Sequence, residues 1–212
     1  MSKLVLYSDQ VIDENRKVDY ELLKLINKYN PSIAYIPSSS DISRKYFNQK
    51  IEYYKALGIT DLRYFDLDQE YDASKVDEIF KCDAIHLSGG NTFYFLHLLK
   101  KREFIDLLKA YVKNGGVLIG ISAGSILMTD SIDIAGLGKD ADENFVGIED
   151  KSALGLIDFE FAPHWDGENG YIGLLSTYAR DKNKVVYACK DGDGIIVDGS
   201  KVRLIGDIKT IE

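Results

Sequence analysis

Short apolar runs alternate with stretches of helical spacing along this 212-residue chain, and no other feature limits its possible folds as much. The runs are Lys3–Tyr7 (KLVLY), Ile33–Ile36 (IAYI, closed by Pro37 and three serines), Leu62–Phe65, Ala84–Leu87 (AIHL) and Val117–Ile121 (VLIGI). Between them, Val18–Tyr29 carries Leu22, Leu23, Leu25 and Ile26 among charges, which is the spacing of an amphipathic helix. Asp41 can cap a helix reaching about Leu57, with Gly58 at its end, and Asp72 or Ser74 can open a short one ending near Lys81. Thr92–Lys100 and Glu103–Asn114 continue the helical pattern up to Gly115-Gly116. A strand that returns to its sheet through a crossover of a dozen or more residues returns parallel. The alternation therefore predicts an α/β fold, a mainly parallel sheet with helices on both faces.

The last quarter reads differently. Leu156–Phe161 predicts a strand, Glu168–Arg180 a helix and Val185–Cys189 another strand. Gly194–Val197 and Val202–Gly206 flank Asp198-Gly199-Ser200, a hairpin signal. An antiparallel appendage at the sheet edge is expected. With no repeat, low-complexity tract or linker, residues 1–212 read as a single catalytic domain.

Apolar residues make up 45% of the chain, enough for a full core without disulfide or metal support. The formal net charge of −8 repels phosphate backbones and anionic membranes, so neither nucleic acid nor a membrane is an expected partner. Cys82 and Cys189 lie in no C-x-x-C or Cys/His cluster and read as small buried residues of a reducing compartment. No apolar run approaches the roughly 18 residues of a membrane span, and the first residues do not read as a signal peptide. A cytoplasmic protein, monomer or homodimer, is expected. No metal cluster or cofactor fingerprint appears, so no cofactor or metal is expected.

Gly120-Ile121-Ser122-Ala123-Gly124 fits G-x-S-x-G. A serine hydroxyl is a weak nucleophile: it must project to where a base can reach it, and its oxyanion must meet backbone N–H groups. A sharp turn from a strand into a helix supplies both, and the VLIGI strand stands directly before it. In isolation the pentapeptide describes an ordinary βα turn equally well. Its place after the apolar strand favours chemistry, with Ser122 as nucleophile.

The chain has three histidines. His86 lies within the AIHL strand and reads as a core residue, and His97 lies in a helical stretch and reads as packing or capping. His164 follows the Leu156–Phe161 run in Phe161-Ala162-Pro163-His164-Trp165-Asp166, on the rim where open α/β sheets carry their sites, and is the candidate base. A carboxylate must orient it; Asp191, Asp130 and Asp133 are the candidates. Ser88-Gly89-Gly90-Asn91-Thr92 ends another buried strand at a helix N-terminus, where exposed N–H groups suit an anion such as an oxyanion. It lacks the nucleotide-binding patterns G-x-G-x-x-G and G-x-x-x-x-G-K-[ST], which discounts nucleotide binding.

Together, Gly89-Gly90-Asn91-Thr92-Phe93, Gly120-Ile121-Ser122-Ala123-Gly124-Ser125 and Pro163-His164 resemble peptidase family S51, typified by dipeptidase E and more distantly by cyanophycinase. The three blocks keep the family's order, and the resemblance extends from Leu4 to Gly206. It implies a three-layer sandwich of flavodoxin-like or class I glutamine amidotransferase-like type, here with a C-terminal antiparallel hairpin. It implies Ser122 as nucleophile, His164 as base, and the backbone N–H groups of Gly90 and Ala123 as oxyanion donors, with Asn91 beside them in the substrate-binding loop. The family acid lies in an x-P-E-G segment, which here is Cys189-Lys190-Asp191-Gly192: Asp for Glu, Lys for Pro. A second family arrangement takes an aspartate after the serine, but Leu137 stands at that offset.

The implied activity is that of a serine peptidase hydrolysing short peptides, dipeptidase- or aminopeptidase-like, through an acyl-enzyme. An esterase, or a catalytically silent small-molecule binding module of the same fold, are the alternatives. Dipeptidase E owes its preference for aspartate to an arginine soon after the histidine. Here Trp165, Asp166, Gly167, Glu168 and Asn169 follow His164, and no arginine comes before Arg180. Such an acidic rim repels an aspartyl side chain, and Asp166 and Glu168 could instead hold a free amino terminus or a basic side chain.

Overall fold

The computed structural model describes residues 2–10, 13–167 and 169–212, the side chain of residue 169 excepted. Its main sheet has seven strands. They are β1 (Lys3–Tyr7), β2 (Ser32–Ile36), β3 (Asp61–Tyr64), β4 (Ala84–Leu87), β5 (Val117–Ile121), β8 (Gly194–Asp198) and β9 (Lys201–Ile205), in the order β3-β2-β4-β5-β1-β8-β9. The first five are parallel, and β8 and β9 close one edge as an antiparallel hairpin against β1. The five strand runs of the sequence thus become the parallel part of the sheet, and the Asp198-Gly199-Ser200 signal becomes its hairpin.

Helices cover both faces. On one, α1 (Arg16–Ile26) and α2 (Lys45–Ala56) bury Val18, Leu22, Leu25, Tyr53 and Tyr54 against Val5, Tyr7, Ile33 and Ile119. Asp41 starts α2 as expected, its carboxylate accepting from the backbone N–H groups of Lys45 (3.0 Å) and Phe47 (2.9 Å). A short 3-10 turn capped by Asp72 leads into α3 (Val76–Ile79). On the other face, α4 (Thr92–Lys101), α5 (Phe104–Lys113) and α6 (Ala123–Ile126) contribute Phe93, Phe95, Leu96, Phe104, Leu108 and Ile126 to the larger core. No helix among the described residues is long and apolar enough to cross a membrane.

The expected edge appendage is corrected in one respect. The strands around His164 form a second sheet of their own: β6 (Glu160–Ala162), β7 (Val186–Ala188) and β10 (Lys209–Ile211), in the order β10-β7-β6. β6 and β7 are parallel, joined by the crossover helix α7 (Asn169–Lys182). The strand is also shorter than the expected Leu156–Phe161, because the backbone N–H groups of Leu154, Gly155 and Leu156 donate to the Leu127, Thr129 and Met128 carbonyls in the loop after α6. Phe161, Leu175, Val186, Ala188 and Ile211 join the core that also holds Leu4 and Leu6 of the main sheet, so the two sheets share one apolar interior.

Candidate active site

The C-terminal ends of β4, β5 and β1 are neighbours in the main sheet, and the segments that follow them carry Gly90, Ser122 and Ser8. After β5 the chain turns sharply at Ser122, whose φ of 50° and ψ of −108° are rare for a residue with a Cβ. The turn holds because its surroundings fix it. The Ser122 N–H donates to the Tyr7 carbonyl (3.0 Å), and the Ser125 hydroxyl donates to that same oxygen (2.9 Å). The two flanking glycines are required by space: a Cβ on Gly120 would lie 2.5 Å from the Gly124 carbonyl, and one on Gly124 would lie 2.2 Å from the Leu87 oxygen. Strand β5, its neighbour β4 and helix α6 therefore meet at a distance that only glycine permits.

His164 and Asp191 come from the second sheet. Ala162 and Ala188 are paired in the parallel β6–β7 register, so the chains leaving those strands run side by side. The Trp165 N–H donates to the Cys189 carbonyl (2.9 Å) and keeps them together. His164 takes a left-handed backbone conformation, φ 59°, which turns its ring back over the elbow. Its Nε2 lies 2.8 Å from Ser122 Oγ and its Nδ1 lies 2.7 Å from Asp191 Oδ1. The tautomer follows from these contacts: an ionised carboxylate only accepts, so Nδ1 carries the proton and Nε2 is left to accept from the serine hydroxyl.

One residue of this arrangement went unmarked in the sequence. Ser8, fully buried just past β1, joins the two sheets. Its Oγ accepts from the His164 N–H (2.8 Å) and has two acceptors for its own proton, the Cys189 carbonyl (3.1 Å) and Asp191 Oδ1 (3.0 Å). Its N–H donates to the Asp193 carbonyl (3.2 Å). A serine after a short apolar strand has no motif, and the strand's adjacency to β5 is the only signal that could have raised it.

The chain matches the sequence profile of peptidase family S51 over residues 4–205, nearly its whole length. The chain belongs to this family. It is similar to the uncharacterized peptidase PM1590 of Pasteurella multocida (strain Pm70), at 30% identity over 66% of this chain and 67% of that protein. It is also similar to Peptidase E of Shewanella amazonensis (strain ATCC BAA-1098 / SB2B), at 32% identity over 59% of this chain, and spans about half of that relative's length (54%). Among solved structures, a protein of Listeria monocytogenes EGD-e provisionally described as a Peptidase E shares the fold. The TM-score is 0.76, at 21% identity over 96% of this chain and 98% of that one. The S51 chain is thus a peptidase of the Peptidase E type, with the α/β sandwich of that group.

In this S51 chain Gly90 follows β4 with φ 133°, facing the same cleft as Ser122. Ala123 is the first residue of α6, so its N–H has no acceptor within the helix. The Asn91 side chain is engaged elsewhere: Oδ1 accepts from the Tyr94 N–H (2.9 Å) and caps α4, while Nδ2 donates to the Glu143 carbonyl (2.9 Å). Asp142 supports that cap by accepting from the Thr92 N–H (2.7 Å) and hydroxyl (2.6 Å).

The other candidate acids pair with lysines. Asp130 pairs with Lys184 (2.8 Å), and Asp133 with Lys182 (2.6 Å) and Lys151 (3.1 Å). Asp166 pairs with Lys139 (3.0 Å) at the cleft, while Glu168, expected to share the acidic rim and to open α7, lies outside the described residues. His86 is fully buried with Nδ1 2.7 Å from the Tyr54 hydroxyl, but its Nε2 has no partner among the described residues, so it is a core residue only half satisfied. His97 stacks on Tyr94. Both cysteines are buried and free, and burial pushes the Cys189 thiol far up, which keeps it protonated and inert beside the site.

Proposed function

We propose that the chain is a serine peptidase that hydrolyses short peptides, with Ser122, His164 and Asp191 acting as a triad. The observation that carries this reading is the continuous contact chain from Ser122 Oγ through the imidazole to Asp191 Oδ1, at 2.8 and 2.7 Å. Nε2 takes the hydroxyl proton as Oγ attacks the scissile carbonyl, and the imidazolium formed is stabilised by Asp191. The oxyanion meets the N–H groups of Ala123 and Gly90, with no side chain needed. The imidazolium then protonates the leaving amine, and water attacks the ester by the same route in reverse. Asp191 fills the place of the family glutamate; the parallel exit of the two strands supports this by bringing the shorter carboxylate within reach.

A dipeptide library tests the proposal. The wild-type protein is expected to release free amino acids from a subset of dipeptides, and Ser122→Ala to lose this by several orders of magnitude. Cleavage of short esters with no peptide turned over would favour the esterase. Turnover of neither would favour a binding module.

A further inference from the structure

We infer that the cleft beside Ser122 selects peptides whose acyl-side residue carries an apolar side chain of leucine or phenylalanine size, over acidic ones. This rests on the peptidase reading above. The cleft holds about 810 Å3, within the range of small-ligand sites. Part of its wall beyond Ser122 is apolar: Ile126 and Ile134, both nearly fully buried, with Leu137, Tyr171 and Leu174. Tyr171 and Leu174 stand three residues apart on one face of α7. Leu174 is 48% exposed, a large aliphatic surface at the cleft that a bound apolar group would cover. The wall is closely fitted. Gly138, with φ 88°, lets its segment close on the Tyr171 ring, where a Cβ would lie 2.9 Å from a ring carbon.

The charges lining the cleft point the same way. Among the described lining residues Lys139 is the one lysine and there is no arginine, against the carboxylates of Asp140, Asp142 and Asp166. The Lys139 ammonium is already paired with Asp166 at 3.0 Å. An acidic side chain would compete with Asp166 for that ammonium and meet two further carboxylates. An apolar side chain meets no such repulsion and gains by leaving water.

The test is a dipeptide series differing only in the amino-terminal residue, Leu, Phe, Asp or Lys before a common leucine. The kcat/KM for Leu and Phe is expected to exceed that for Asp by at least about tenfold. Leu174→Asp, at an exposed position that folding tolerates, should lower kcat/KM for the leucyl peptide by about tenfold, mainly through KM, as uniform binding is lost. Fluorophosphonate labelling of the wild-type protein at Ser122 is measured beside the series and is expected. Normal labelling with Asp fastest, or with Leu and Asp equal, would overturn this specificity and leave the peptidase reading standing. Loss of both labelling and turnover in the wild type would remove the peptidase reading and the specificity with it.

Discussion

The Ser8 hydroxyl has one proton and two acceptors in range, Asp191 Oδ1 and the Cys189 carbonyl, while its lone pair fixes the His164 backbone. It thereby sets the mutual position of His164 and Asp191 from beneath them. Removing it leaves the His164 N–H and the carboxylate without this partner, so Ser8→Ala should lower kcat by about 10- to 100-fold with KM little changed, a loss confined to the reacting geometry. Ser8→Thr, which keeps the hydroxyl, should recover most of it; steady-state kinetics of the two variants separate positioning from a loss of fold. Asp191→Asn should cost more, about 10³- to 10⁴-fold in kcat, because an amide can favour the wrong imidazole tautomer. The turn at Ser122 and the place of His164 just past a strand were legible in the sequence, and the fold brings the two side chains to 2.8 Å. Asp191 was one of three open choices in the sequence; its carboxylate lies 2.7 Å from His164 Nδ1, while Asp130 and Asp133 pair with lysines. Ser8 was illegible because its role lies entirely in long-range contacts.

At the scale of single elements, the elbow and strand β6 each store a measurable constraint. Gly124→Ala would drive a Cβ into the Leu87 carbonyl, a backbone atom that cannot swing away. Overpacking of this kind costs about 1–3 kcal/mol or more, and urea unfolding should record it together with loss of activity. Glu160 begins β6 almost fully buried, its carboxylate accepting from the Tyr178 hydroxyl at 3.3 Å. Burial, with Asp130 nearby, raises its carboxyl to about 7, against the pull of the Tyr178 hydroxyl and of Lys184 and Lys182. In the unfolded chain the group titrates near the ordinary glutamate value. Between about 4.5 and 7 the folded state therefore holds more protons, and this group makes stability fall as pH rises. Glu160→Gln should flatten that slope and stabilise the protein at pH 8 relative to wild type, by up to about 3 kcal/mol, in unfolding curves at pH 4 and pH 8. The element boundaries were readable wherever an apolar run met a turn residue. They failed at β6, where neighbouring loop carbonyls claim the backbone before residue 160.

Across the whole molecule, the site exists because two sheets meet with fixed geometry. Asp193 secures that seam: its carbonyl accepts from Ser8, and its carboxylate accepts from the Lys190 N–H (3.1 Å) and the Asp207 N–H (3.2 Å). Gly206 makes room for it, since a Cβ there would lie 1.8 Å from Asp193 Oδ1. Asp193→Ala strands the Lys190 and Asp207 N–H groups while keeping the carbonyl that Ser8 uses, an expected loss of about 1–3 kcal/mol or roughly 2–10 °C in Tm, visible by calorimetry. The parallel sheet was legible because crossover length dictates strand direction. The second sheet was not, although β6, α7 and β7 form the same strand-helix-strand unit: nothing local tells such a unit which sheet to join.

The most direct measurement is peptide mapping by mass spectrometry after fluorophosphonate treatment. One adduct is expected, on the peptide containing Ser122, formed far more slowly in His164→Ala. An adduct on any other residue, or equal labelling with and without the imidazole, would contradict it.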